Sequence, residues 1–152
     1  MDAGSALAGD EKLDRARARP LWRSLLKLAR PHQWSKSVFV LIGPVYALSD
    51  GKDGIDGPWT LIFPALLAAI SFALASSGCY VFNDLMDVEA DRIHPRKRYR
   101  PLACGSVTTG QAKVFVVVLL VGAALALVPI GGSARWVGLF VGLHVLDVLL
   151  YS

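Results

Sequence analysis

The sequence is short of charge in the places where a soluble protein needs it. No Asp, Glu, Lys or Arg occurs from Gly57 to Asn83, and none from Val114 to Ala134. Charged residues make up 18% of the 152 and hydrophobic ones 54%, with a mean hydropathy of +0.48. A soluble domain carries about 25% charged residues. Each uncharged window exceeds the roughly 20 apolar residues that take a helix across a ~30 Å hydrocarbon layer. These gaps exclude a soluble globule and a disordered chain, leaving an all-α integral membrane protein. Cysteine is scarce as well: Cys79 and Cys104 stand alone. Two thiols without CxxC spacing exclude a disulfide scaffold and give little reason to expect a metal site; they read as small packing or loop residues. Met1–Arg19 lacks the apolar core of a signal peptide, so residues 1–20 read as a mobile cytoplasmic tail. No feature calls for nucleic acid.

The charges that are present sort by side. Residues 1–36 hold eight Lys or Arg against four acids, and the loop Asn83–Lys113 holds Arg92, Arg96, Lys97, Arg98, Arg100 and Lys113. The loop Ser49–Pro58 instead holds Asp50, Asp53 and Asp56 against Lys52. Lys and Arg gather on the cytoplasmic side of membrane proteins. The N-terminus and the Asn83–Lys113 loop are therefore expected in the cytoplasm, and the chain multi-pass in the cell membrane. Four spans are expected, at about 33–49, 59–82, 112–130 and 136–151. Ahead of them, Leu21–Arg30 alternates apolar and basic residues and suits a helix lying in the headgroup plane. Pro31 breaks it, Lys36 snorkels, and Gly43-Pro44 is expected to kink the first span. In the second span Ala65, Ala68, Ala69, Ala73, Ala75, Ser76, Ser77 and Gly78 allow close helix packing in lipid. Asp147 costs roughly 2.5–3.5 kcal/mol at a span's centre on insertion scales. It is expected near the inner boundary or paired locally with His144.

The chemistry concentrates where the second span meets the cytoplasm, at Asn83-Asp84-Leu85-Met86-Asp87-Val88-Glu89-Ala90-Asp91. If the helix continues, Asp84, Asp87 and Asp91 fall within an arc of about 60°, with Asn83 beside them and Glu89 opposite. Carboxylates on one face repel unless a cation compensates. Mg²⁺ is typically held by one or two carboxylates together with substrate phosphates. The plain alternative is a solvated acidic patch neutralised by the arginines that follow.

The next residues, Arg92-Ile93-His94-Pro95-Arg96-Lys97-Arg98-Tyr99-Arg100-Pro101, put five cations within nine positions. Pro95 ends the helix. Arg binds phosphate bidentately and Lys as a point charge, so the two clusters together suit a metal and a cationic clamp around a phosphorylated ligand. The positive-inside tendency alone also asks for some of these cations. His94 reads as a cap or hydrogen-bonded loop residue.

These segments resemble a known family. NDLMDVEAD matches the first aspartate-rich motif, NDxxDxxxD, of the UbiA superfamily of intramembrane prenyltransferases. Arg30-Pro31-His32-Gln33-Trp34-Ser35-Lys36 resembles the RPxQWxK entry of its decaprenyl-phosphate phosphoribosyltransferase branch. Ser76 through Tyr80 to Asn83, Asp91-Arg92, His94-Pro95, Lys97-Arg98 and Arg100 to Gly105 resemble the continuation of that branch. The likeness covers about Arg30 to Gln111. It implies that residues 21–152 form a UbiA-like transmembrane domain, the first half of a nine-helix bundle. It also implies Mg²⁺-dependent transfer of 5-phosphoribose from phosphoribosyl pyrophosphate to a polyprenyl (decaprenyl) phosphate, toward lipid-linked arabinose for a cell wall. Asn83, Asp84, Asp87 and Asp91 would surround the metal, with Asp84, Asp87 and Asp91 as the catalytic carboxylates. Lys36, Tyr80, Asn83, Arg92, Lys97, Arg98 and Arg100 would contact substrate.

The chain departs from the pattern in two ways. Ser37 stands where the branch has Asn, and the family's second aspartate-rich motif is missing, which Asp147 cannot replace. The sequence therefore looks truncated, so that either a continuation of the same chain or a second chain would complete the metal site. Two other readings fit the residues: a prenyltransferase of the same superfamily with an aromatic acceptor, and an inactive membrane fragment.

Overall fold

In the computed structural model the described residues are 3–43, 46 and 59–150, and among them every regular element is a helix. Helix α1 spans Ala3–Arg17, α2 Leu21–Ala29, α3 Trp59–Met86, α4 Val88–Ile93, α5 Thr109–Leu127 and α6 Ala134–Leu150. Pro31–Leu41, Lys97–Tyr99 and Val128–Ser133 are 3₁₀ segments.

The N-terminal residues, expected to be a tail, form α1. Its alanines favour helix, and Arg15 with Glu11 and Arg17 with Asp14 pair along one side. Ala16 is fully buried, where α1 meets the 97–99 turn. Helix α2 has the expected amphipathic form: Ser24, Leu28 and Ala29 are buried, while Trp22 and Leu26 face outward. It ends as expected at Pro31, through Arg30 in a left-handed conformation with φ 50°. A non-glycine residue there costs roughly 1–2 kcal/mol, so its contacts must hold it in place.

The scaffold is the pair α3 and α5, whose mutual contact is the most extensive in the fold. Of the small residues expected to pack closely, Ala65, Ala68, Ala73, Ala75, Ser77 and Gly78 are buried, and Gly78 lies at this seam. A Cβ on Gly78 would lie 3.2 Å from Leu120 Cδ2, and Ser71 Oγ donates to the Ala123 carbonyl at 2.8 Å. Helix α5 starts at a capping box, with Thr108 and Gln111 each accepting from the other's backbone N–H at 3.2 and 3.0 Å. At the same end Leu28, Val81, Val88, Leu102, Val107, Ala112 and Leu119 form one apolar cluster. It ties α2, α3, α4 and the 101–107 loop together beneath the acidic segment.

Two helices are long and apolar enough to cross a bilayer, Trp59–Met86 and Thr109–Gly131, with mean hydropathies of 1.9 and 2.8. They extend the second and third expected spans. The fourth corresponds to a shorter apolar stretch, Arg135–Leu146. The first expected span is 3₁₀ rather than α-helical over Pro31–Leu41. Pro44 of the expected kink and most of the remainder of that span lie outside the described residues.

The α3–α5 seam is testable at Gly78. Gly78→Leu forces a side chain into Leu120 and is expected to lower unfolding stability in mixed micelles by about 1–3 kcal/mol. Unchanged stability would mean that the two helices do not meet there.

Candidate functional site

The acidic segment is not one continuous helix. Helix α3 stops at Met86, and Asp87 adopts φ −87°, ψ 0° before α4 begins. Hydrogen bonding nevertheless carries across the joint, from Asp87 N to the Asn83 carbonyl at 3.0 Å and from Asp91 N to the Asp87 carbonyl at 2.8 Å. Asp84 and Asp91 are seven residues apart, close to two helical turns, and share the inner stripe at 4% and 2% exposure. Asp87 falls outside that stripe and is exposed. The expected three-carboxylate face is therefore a buried pair with a third carboxylate at its edge. Asn83 is half-buried beside Asp84. Glu89 lies on the far side as expected, paired with Arg92 at 2.7 Å.

Arginines hold the buried pair. A single nitrogen, Arg100 Nη1, donates to Asp84 Oδ1 at 3.2 Å and to Asp91 Oδ2 at 2.7 Å. Arg30 Nη2 donates to the same Asp84 oxygen at 2.6 Å, and its guanidinium lies 4.9 Å over the Tyr80 ring. These contacts keep Arg30 in its left-handed corner. Lys97 Nζ stands 3.6 Å from Asp91 Oδ1, beyond hydrogen-bond range, and that oxygen is buried without a hydrogen-bond partner. Ser77 secures the corner from below: it accepts the Trp34 indole N–H at 2.9 Å and donates to the Ala29 carbonyl at 2.7 Å.

Beside Asp84 opens a cavity of about 660 Å³, lined by Arg23, Lys27, Arg30, Arg100, Trp22 and Asp84 among others but not by Asp91. Four cations face one carboxylate, so the cavity is cationic and attracts anions. Burial first, and Arg19 second, push the Lys27 ammonium below its ordinary range. The sequence pattern does not single out Arg23 and Lys27: their place in the amphipathic α2 pattern suits a membrane contact equally well.

Of the expected site residues, the fold brings together Tyr80, Asp84, Asp91, Lys97 and Arg100. Arg92 and Arg98 line a separate cavity. The side chains of Lys36 and Asp147 lie outside the described residues. His94 is a loop residue as expected, its Nδ1 accepting from the backbone N–H of Arg96 and Lys97. His144 meets Ser76 of α3 through Nε2 at 3.0 Å and stacks near Phe72. Cys79 and Cys104 are buried free thiols. Among the described residues no group of three His, Cys, Asp or Glu is placed to hold a metal ion.

The model of the UbiA prenyltransferase family matches residues 37–152. Over 96 residues the chain is 43% identical to a decaprenyl-phosphate phosphoribosyltransferase of Corynebacterium glutamicum, covering 63% of this chain and 28% of that one. The corresponding protein of Mycobacterium tuberculosis is 42% identical over 97 residues, covering 62% and 31%. A digeranylgeranylglyceryl phosphate synthase of Saccharolobus solfataricus is 40% identical over 63 residues, covering 41% and 22%. The chain thus spans under a third of the length of these curated relatives. No solved structure is a significant match.

Two outcomes follow from the geometry. Arg100→Met leaves two buried carboxylates short of a partner and is expected to cost about 2 kcal/mol, less than a fully buried pair because Arg100 is partly exposed. Adding Asp84→Asn should recover part of the loss, a coupling that a double-mutant cycle reads directly; strictly additive losses would refute the bridge. For Lys27, the unfolded chain holds its proton more tightly than the folded one. Stability should therefore rise with pH between the depressed folded value and the ordinary lysine value. Lys27→Met should flatten that rise in unfolding titrations.

Proposed function

This chain belongs to the UbiA prenyltransferase family, and we propose that it carries the phosphate-handling part of a phosphoribosyltransferase site. The reaction would move 5-phosphoribose from phosphoribosyl pyrophosphate to a polyprenyl phosphate at a membrane. The observation that carries this reading is the pairing of Asp84 and Asp91 through one Arg100 nitrogen beside a cavity rimmed by Arg23, Lys27 and Arg30. Anion-binding and carboxylate groups meet there, as a diphosphate leaving group accompanied by a cation requires. The relatives support the phosphoribosyl reading: the decaprenyl-phosphate phosphoribosyltransferases are 42–43% identical over 62–63% of this chain, against 33% over 65% for a digeranylgeranylglyceryl phosphate synthase of Methanoculleus marisnigri.

The residues fit a magnesium ion in its usual mode, with one or two carboxylates from the protein and the rest of its shell from phosphate and water. Asp91 Oδ1 is buried and lacks a hydrogen-bond partner, and Asp84 stands on the other side of Arg100. Asp87 and Asn83 border the same segment. When bound, the ion would neutralise charge on the departing diphosphate. The protein's own cations would share that task. Arg100 and Arg30, released in part from Asp84, would turn donors toward phosphate oxygens, while Lys97 stays beside Asp91. Guanidinium donors aimed at developing charge stabilise the transition state more than the ground state. The lipid phosphate oxygen is itself the nucleophile, so no side chain need become covalently attached.

The test is label transfer in membranes expressing this chain. Label from phosphoribosyl pyrophosphate should appear in a polyprenyl-phosphate product, and Asp84→Asn or Asp91→Asn should reduce it about a hundredfold or more. Transfer from a prenyl diphosphate to an aromatic acceptor instead would overturn the phosphoribosyl assignment. Equal activity in wild type and Asp91→Asn would overturn the site.

A further inference from the structure

A second cationic cavity, of about 440 Å³, lies between α1 and the loop that follows α4. It is lined by Arg17, Arg92 and Arg98 together with Leu13, Ala103, Cys104 and Gly105. It shares no lining residue with the cavity beside Asp84. Among the described residues no carboxylate lines it, and the acids on its rim are paired: Glu89 with Arg92, and Asp14 3.8 Å from Arg17. Arg17 Nε donates to the Cys104 carbonyl at 3.3 Å, which fixes that guanidinium against the loop. Arg98 Nη2 donates to the Tyr99 hydroxyl at 3.1 Å, and Arg98 Nε is buried with no hydrogen-bond partner.

Arginines from three segments line one concave space, and in its wall the buried Arg98 Nε lacks an acceptor. Glu89 and Asp14 answer Arg92 and Arg17 only from exposed positions, where solvent weakens the pairing, so the cavity keeps an excess of positive charge. An anion with several acceptor oxygens offsets that excess, and guanidinium forks match phosphate bidentately. We propose that this cavity is a second anion site that takes a phosphate group. The ligand clasps α1 to the loop, because Arg17 reaches the cavity only while α1 is docked. Arg98 belongs to the same short segment as Lys97 and Arg100, so occupancy also steadies the backbone that presents those two cations to Asp91. A free phosphate and the headgroup of an anionic phospholipid share the chemistry that would be recognised. This site stands whether or not the transfer reaction does.

The experiment is hydrogen–deuterium exchange of α1 in the full chain, held in phosphate-free maltoside micelles. Inorganic phosphate is titrated in one arm and phosphatidylglycerol in the other. Slowed exchange of α1 is expected in at least one arm, and which arm responds identifies the source. Arg98→Gln and Arg17→Gln should each weaken the response about tenfold, the loss of a charge-assisted bond. Arg98→Lys should weaken it less, and Arg23→Gln, in the other cavity, should leave it unchanged. If Arg98→Gln fails to fold by circular dichroism, Arg17→Gln decides, since that side chain is 59% exposed. The proposal is overturned if neither ligand slows exchange, if Arg17→Gln responds as wild type does, or if the response disappears in Arg23→Gln.

Discussion

One guanidinium nitrogen between two buried carboxylates organises the loop end of this protein. Asp84 closes the last turn of α3 and Asp91 lies in α4, so Arg100 Nη1 joins the end of a long apolar helix to the segment beyond its break. Two carboxylates out of water are costly, and their attraction to a cation offsets that cost only with good geometry and further hydrogen bonds. Arg30 supplies the further bond on Asp84. Asp91 is less completely served, since Lys97 approaches its second oxygen without bonding to it. Asp84 thus takes two bonds on one oxygen, while Asp91 keeps a buried oxygen open, and that open oxygen is where an incoming cation or donor gains most.

The same network sets the course of the chain around it. Arg30 can occupy its left-handed corner because Asp84 and Tyr80 take its guanidinium and Ser77 takes the Ala29 carbonyl. With that corner fixed, α2 lies beside α3 and presents Arg23 and Lys27 to the cavity. A short amphipathic helix therefore forms one wall of the anion site, and its outward Trp22 and Leu26 give the wall an apolar rim. Buried Ser77, on α3, thus acts on the cavity through the backbone it holds rather than by facing a ligand.

Much of the fold was legible in the sequence because the bilayer permits few solutions. The uncharged windows located α3 and α5, the run of small residues marked α3 as a closely packed helix, and Pro31 and Pro95 marked where helices end. The acidic and basic clusters were legible as a pair. Their internal division was not. A repeat at 100° per residue puts Asp87 only about 60° from Asp84, and nothing in the spacing announces the turn that leaves Asp87 exposed while Asp84 and Asp91 face inward. Likewise Arg92, Arg98 and Arg100 look equivalent in a basic run. Only the folded loop sends Arg100 to the carboxylates and the other two beneath α1. Helix α1 itself was hidden by composition: alanine with mixed charge reads as a tail until Ala16 finds a surface to bury against.

The surfaces beside the site bear on its chemistry. Val114, Val117, Val118, Val121 and Leu125 of α5 are exposed, and apolar hollows beside Phe82, Leu85, Val116 and Val117 begin within a turn or two of Asp84 along α3. Water is a poor solvent for such faces and hydrocarbon a good one. The cationic cavity has apolar lining of its own in the exposed Trp22 and Leu26, so a ligand of the proposed kind, with a phosphate head and an apolar tail, would meet both kinds of partner there. The head of such a ligand would gain the guanidinium donors while the tail stayed outside the protein in lipid, so the protein would not need to enclose the chain to bind it. Selectivity for the head would then rest on the arginines, and the length of the tail would go largely unread.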